Sequence, residues 1–171
     1  QLNPGPTGPG KGESMSVLKS RRHESKAEFV NVADEIFVEV LHFLTRLSNR
    51  YQRLLAQDTM YLASEVLDHC EMAQNTYIKD QVTFDAREYH LTEARSAVMA
   101  LDVHMTHIWR VCMTNPEGCF TDTKGRMKTP AKAIEALDKM AVSLGEKIDQ
   151  EKNLISGVLQ ADKKKFQQAS E

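Results

Sequence analysis

An all-α fold, an antiparallel up-down four-helix bundle, is what this sequence predicts, and three observations predict it. First, positions 87, 91, 94, 98, 101, 105, 108 and 112 alternate steps of four and three, and from Leu91 onward each is apolar. That pattern is one apolar seam along a single long helix. At 1.5 Å per residue, a helix over Asp85–Cys112 would reach roughly 40 Å, too long for one short neighbour to cover. Second, three other segments carry seams of the same period. Third, strong breakers such as Asn115-Pro116 and Thr129-Pro130 fall between the segments.

The 171 residues are 41% hydrophobic and 27% charged, ordinary values for one globular domain with a real core. No apolar run could span a bilayer and no secretory apolar core opens the chain, so a cytoplasmic protein without a membrane partner is expected. Cys70, Cys112 and Cys119 make an odd count with no CxxC pair. They are expected to be reduced thiols rather than a disulfide framework or a four-thiolate zinc site. Net charge is -2, so only a local basic patch could support a nucleic-acid partner.

Residues 1–24 open with a Gly- and Pro-rich stretch that can neither form a helix nor bury a core, and they continue as a basic arm with Lys19, Arg21 and Arg22. They are expected to be a disordered tail or leader. The bundle is placed at residues 25–161. Its first helix is expected from about Ser25 to Leu47, with Ser25 as N-cap and Glu28 completing a capping box. Phe29, Ala33, Ile36, Val40, Phe43 and Leu47 form its seam, and Val30, Phe37, Leu41 and Leu44 widen it, so this helix should be covered on two sides. If the chain stays helical beyond it, Arg46, Arg50 and Arg53 project from one face beside Tyr51.

A second helix is expected from about Asp58 to Tyr77 on Leu62, Ala63, Val66, Leu67, Cys70 and Ala73. Thr83 or Asp85 should cap the third, which ends before Pro116 because proline disfavours helical geometry in the residue ahead of it. Trp109 beside the seam reads as a packing or interface residue. The loop after it holds Gly118, Gly125 and the cations Lys124, Arg126, Lys128 and Lys132, and it is longer than most helix connections. Thr129-Pro130 signals the start of a fourth helix running to about Ala161 through Ile134, Leu137, Ala141, Leu144, Ile148, Ile155 and Val158. A Lys-rich tail is expected over 162–171.

Catalytic signatures are missing: no phosphate-cradling glycine loop, nucleophile elbow, HExxH or EF-hand loop occurs. The di-metal carboxylate bundles need Glu-x-x-His on two helices, and that pair of motifs does not occur. His90, His104 and His107 have no carboxylate partners at metal-binding spacing. No catalytic, cofactor or metal site is therefore expected, and a binding or assembly role is favoured over an enzyme.

Several stretches, in order, resemble a family of small bacterial and phage four-helix-bundle proteins. They are Glu24-Ser25-Lys26-Ala27-Glu28-Phe29, Arg50-Tyr51, Ala73-Gln74-Asn75-Thr76-Tyr77, Arg87-Glu88-Tyr89 with Leu91-Thr92-Glu93-Ala94, and Asn153-Leu154-Ile155-Ser156-Gly157 running into Asp162-Lys163. The family includes the ribosomal-RNA intervening-sequence proteins and the accessory variability determinant (Avd-like) of diversity-generating retroelements, and the resemblance spans roughly residues 24–166. It implies a bundle that assembles into a barrel-like homo-oligomer, a pentamer. It also implies a non-enzymatic accessory role, binding a reverse transcriptase and template RNA or its cDNA. The residues expected to neutralise phosphates are Arg46, Arg50, Arg53 and Arg87, with Lys124, Arg126 and Lys128 from the loop. The alternative is a structural or protein-interaction scaffold without nucleic-acid binding.

Overall fold

The computed structural model describes residues 27–170, with the side chain of Ser170 excepted. The basic arm and Ser25 lie outside the described residues. Four helices follow in order: α1 (Glu28–Leu44), α2 (Asn49–Asn75), α3 (Gln81–Thr114) and α4 (Pro130–Ser170). α1 packs on α2, α2 on α3, α3 on α4, and α4 closes the ring against α1. Each helix packs on its neighbour in sequence, and two of the three connections are short, so the bundle runs up-down-up-down. The described residues contain no strand, only two isolated bridges, and no helix is long and apolar enough to cross a membrane.

The predicted seams are the core. Ile36, Val40, Val66, Cys70, Leu91, Val98, Leu101, Leu137 and Ile155 are all fully enclosed. α1 is covered on two sides as its wide apolar face requires, with Val30 and Leu44 buried, although Leu41 remains 40% exposed. In α4 the buried positions are Ala133, Leu137, Leu144, Ile148, Glu151 and Ile155. Ala141 lies outward, and Glu151 occupies the seam step between Ile148 and Ile155 that an apolar-only reading passes over.

Helix ends differ from expectation at several points, each for a local reason. α1 starts at Glu28 on Ala27, which supplies no side-chain cap, and it stops at Leu44. There the amides of Thr45, Arg46 and Leu47 turn back to the carbonyls of Leu41, Phe43 and Leu44. After Ser48, α2 starts at Asn49, nine residues before the expected Asp58. No Gly or Pro marks this break; the pair Ser48-Asn49, both cap-forming types, was its only signal. α3 is capped by Asp80, whose carboxylate accepts from the Thr83 amide at 2.9 Å, while the Thr83 hydroxyl accepts from the Asp80 amide at 3.1 Å. Thr83 is thus the third residue of the capping box rather than the cap. α4 starts at Pro130 as expected but continues through the predicted tail to Ser170. Phe166 stacks on Phe84 at 4.4 Å between ring centroids, Asp162 pairs with Arg87 and Lys163 with Glu88, so α3 holds the last turns in place.

Candidate nucleic-acid interface

The early end of α1 puts Arg46 outside any helix, so Arg46, Arg50 and Arg53 do not form one helical stripe. They meet the loop cations by another route. The α3–α4 loop folds back across the α1–α2 connection: the Ser48 amide donates to the Cys119 carbonyl (2.9 Å) and the Thr121 amide to the Arg46 carbonyl (2.7 Å). The Arg46 guanidinium returns a bond to the Asp122 carbonyl at 2.8 Å. Beneath these bonds Cys119 and Phe120 are buried, and Phe120 lies against Phe43 with ring centroids 5.5 Å apart.

Within the loop a tight turn aims the cations outward. The Asp122 amide donates to the Arg126 carbonyl and the Lys128 amide to the Phe120 carbonyl, and Gly125 adopts φ 75°, a left-handed value that a side chain would disfavour. The Asp122 carboxylate accepts from the amides of Lys124 (2.8 Å) and Arg126 (3.0 Å) and from the Arg126 guanidinium (2.8 Å). Those hydrogen bonds, the Arg126 amide first, hold its carboxyl below the usual range. Asp122 is therefore an internal brace of the turn.

Six sequence-predicted residues thus gather at one end of the bundle: Arg46, Arg50, Arg53, Lys124, Arg126 and Lys128. Arg50 and Arg53 are exposed; Arg50 donates to the Tyr51 hydroxyl at 3.1 Å and lies 4.7 Å from its ring centroid. Lys124 and Arg126 are exposed, and the Lys128 ammonium lies 5.8 Å from the Phe120 ring centroid. No acid stands in the first turn of α2.

Arg87 is elsewhere, at the far end of the bundle, about 35 Å away along α2. Its Nε donates to Asp162 at 2.6 Å, and its Nη1 donates to the carbonyls of Ala73 and Thr76, closing the C-terminus of α2. The side chain is 15% exposed.

Other polar groups lie in that far half. Cys70 Sγ donates to Glu151 Oε1 at 3.3 Å, and Glu151 Oε2 has no hydrogen-bond partner among the described residues. Burial pushes the Glu151 carboxyl up to about 8 and drives the Cys70 thiol up as well. His69 and His90 approach through their Nδ1 atoms at 3.0 Å; burial first, then the neighbouring His69, lowers the His90 pKa. Glu39 and His42 do stand three apart on α1, a Glu-x-x-His. Glu39 lies 3.8 Å from Lys147 and His42 is exposed, so this motif does not point at the core. Among the described residues no group of three or more His, Cys, Asp or Glu converges as a metal site would require.

Sequence reasoning missed two features of the basic end: the Ser48-Asn49 start of α2 and the docking of the loop on it. Together fold and site define a four-helix-bundle protein whose loop end is a cationic surface. No protein-family model, curated protein or solved structure matches the chain.

Proposed function

We propose that this protein is a non-enzymatic accessory factor that binds RNA or its DNA copy through the loop end of the bundle. It works beside a reverse transcriptase in a diversity-generating retroelement, as a homo-oligomer of the barrel type that the resemblance implies. The observation that carries the nucleic-acid part is the gathering of six cations from two distant segments on one end, with the nearest loop acid, Asp122, engaged by the turn itself. Such a surface attracts a polyanion although the whole chain is slightly acidic.

The scaffold reading has its own observation. A groove of about 250 Å³ between α3 and α4 is lined by Met105, Trp109, Met140 and Leu144, with the Trp109 indole donating to Asp138 at 3.2 Å. Methionine and tryptophan beside an open groove suit a protein contact.

One experiment separates the two. Single-stranded RNA binding is followed by fluorescence anisotropy across a salt series, for the wild type and for Arg50→Glu/Arg53→Glu/Lys124→Glu. Binding should weaken with salt, and losing about three phosphate contacts should cut the logarithmic salt slope by about 2. No binding by the wild type at low salt would sink the nucleic-acid reading and leave the scaffold.

A further inference from the structure

His69 on α2 and His90 on α3 face each other across the seam between the two helices, with their Nδ1 atoms 3.0 Å apart and their ring centroids 5.3 Å apart. No local motif marks the pair, because its members lie on different helices, 21 positions apart. Two imidazole nitrogens this close need something between them: one shared proton, or one cation that both rings ligate. Two bare lone pairs would repel each other, and two protons would clash.

The surroundings favour the ligating state. The Glu65 carboxylate, one turn earlier on α2, lies 3.5 Å from His69 Nε2. It draws the ring proton to that nitrogen and leaves Nδ1 bare, the arrangement in which an outer carboxylate orients a metal-binding histidine. On the other ring, burial and then His69 lower the His90 pKa, which favours the neutral imidazole that metals require. Tyr89 stands edge-on to both rings, 6.1 Å from His69 and 5.3 Å from His90 between centroids. The His69 side chain is 15% exposed and that of Glu65 33%, so solvent and a small ion reach the pair.

The spacing also selects the kind of ion. Imidazole nitrogens bind first-row divalent ions at about 2.0–2.1 Å, and at such bond lengths two nitrogens 3.0 Å apart subtend about 90°. A tetrahedral ion would hold them about 3.4 Å apart. The observed pair matches adjacent corners of a square-planar or tetragonal ion, the geometry of Cu2+ and Ni2+, of which Cu2+ binds such ligands more tightly. A closed structural site takes four protein ligands; here the protein supplies two, and the remaining corners belong to water.

We infer that His69 and His90 form a solvent-open, two-histidine site for Cu2+ that clips α2 to α3, with Glu65 as a positioning residue behind His69. The site lies about 30 Å along α2 from the cationic end. It therefore stands apart from the nucleic-acid reading.

The test titrates Cu2+ alone into the full-length protein and follows electron paramagnetic resonance together with the thermal midpoint. One saturating ion per chain, a spectrum split by two imidazole nitrogens and a raised midpoint are expected, since binding to the folded state stabilises it. His90→Gln should weaken Cu2+ at least tenfold and remove one nitrogen from the spectrum. Glu65→Gln should keep both nitrogens while weakening affinity roughly tenfold. His104 and His107, one turn apart on α3, are the rival pair, and His104→Gln/His107→Gln should leave spectrum and affinity unchanged. Copper held at full affinity by His90→Gln, or lost from His104→Gln/His107→Gln, would overturn the inference. The wild-type spectrum decides even where a histidine variant fails to fold: fewer than two nitrogens on the first bound ion sinks the site.

Discussion

The two halves of this bundle use polar side chains in opposite ways. In the far half they are drawn inside: Arg87 closes the α2 C-terminus against Asp162, Cys70 and Glu151 share a core layer, and His69 meets His90 between α2 and α3. In the loop half the interior is mostly apolar, with Phe43, Leu44, Leu47 and Phe120 buried beside only the small hydroxyl residues Ser48 and Thr59, and Arg50, Arg53, Lys124 and Arg126 stand outside it. The lesson is that an arginine's role depends on what already fills its hydrogen-bonding positions. Arg87 and Arg50 are the same residue type on the same bundle, but the first is engaged by three internal acceptors and the second by a single neighbouring tyrosine.

The largest expected effect tests that contrast at its stronger side. Arg87→Met removes the fork that joins α2, α3 and α4, leaving the Asp162 carboxylate and two terminal carbonyls without their donor. The loss should be roughly 2–4 kcal/mol in urea unfolding. A loss below about 0.5 kcal/mol, the range of ordinary surface changes, would mean that Arg87 is free to serve as a nucleic-acid contact after all.

Glu151 should give an effect of comparable size with a distinctive pH dependence. Burial raises its folded pKa from an ordinary 4.5 to about 8, so across that window the folded chain holds a proton that the unfolded chain has released. Stability contributed by this group is therefore fully present below about 4.5 and lost as pH rises through about 8. The urea midpoint should fall from pH 5 to pH 8 in the wild type, and Glu151→Gln should flatten that fall. A slope unchanged in Glu151→Gln would assign the pH dependence to another group.

These two residues also show why part of the molecule was legible in the sequence and part was not. The seams were legible because a 3.6-residue period repeated over many turns has one physical reading, and Leu91 through Cys112 follow it. Glu151 lies on the α4 seam, but a carboxylate there reads as a gap in the period; only its neutral, buried state makes it a core residue. The carboxy-terminal turns were read as a tail because Lys163, Lys164 and Lys165 look solvated. Their helix is held by contacts with Phe84, Arg87 and Glu88, whose residues lie about 80 positions earlier. The basic end was half legible: the cations were evident, but Arg46 was placed on a helix that ends before it. Their convergence depends on backbone bonds between Arg46, Ser48, Cys119 and Thr121, pairings that carry no local pattern.

The far end offers a third, milder test. Phe166→Ala removes the ring stacked on Phe84 in the last turns of α4 and should cost about 1–2 kcal/mol, since Phe166 is only partly buried. Hydrogen exchange should locate the loosening in the last turns of α4, with the Asn49–Arg53 turn unaffected. Loosening that reached the loop end would show that the halves fold as one cooperative unit and would blunt the contrast.

The smallest expected change in stability belongs to Arg53→Gln. Its side chain is exposed, one turn into α2, and a lone surface charge of this kind contributes within about 0.5 kcal/mol. Its consequence should appear instead in RNA affinity: one phosphate contact fewer lowers the salt slope by about 0.7 and weakens binding across all sequences alike. Arg87→Met, compared at a urea concentration where it remains folded, should keep the wild-type slope. If Arg53→Gln instead destabilised the fold as much as Arg87→Met and left the salt slope untouched, Arg53 would be structural, and the division between an inward-facing and an outward-facing half would have to be redrawn around it.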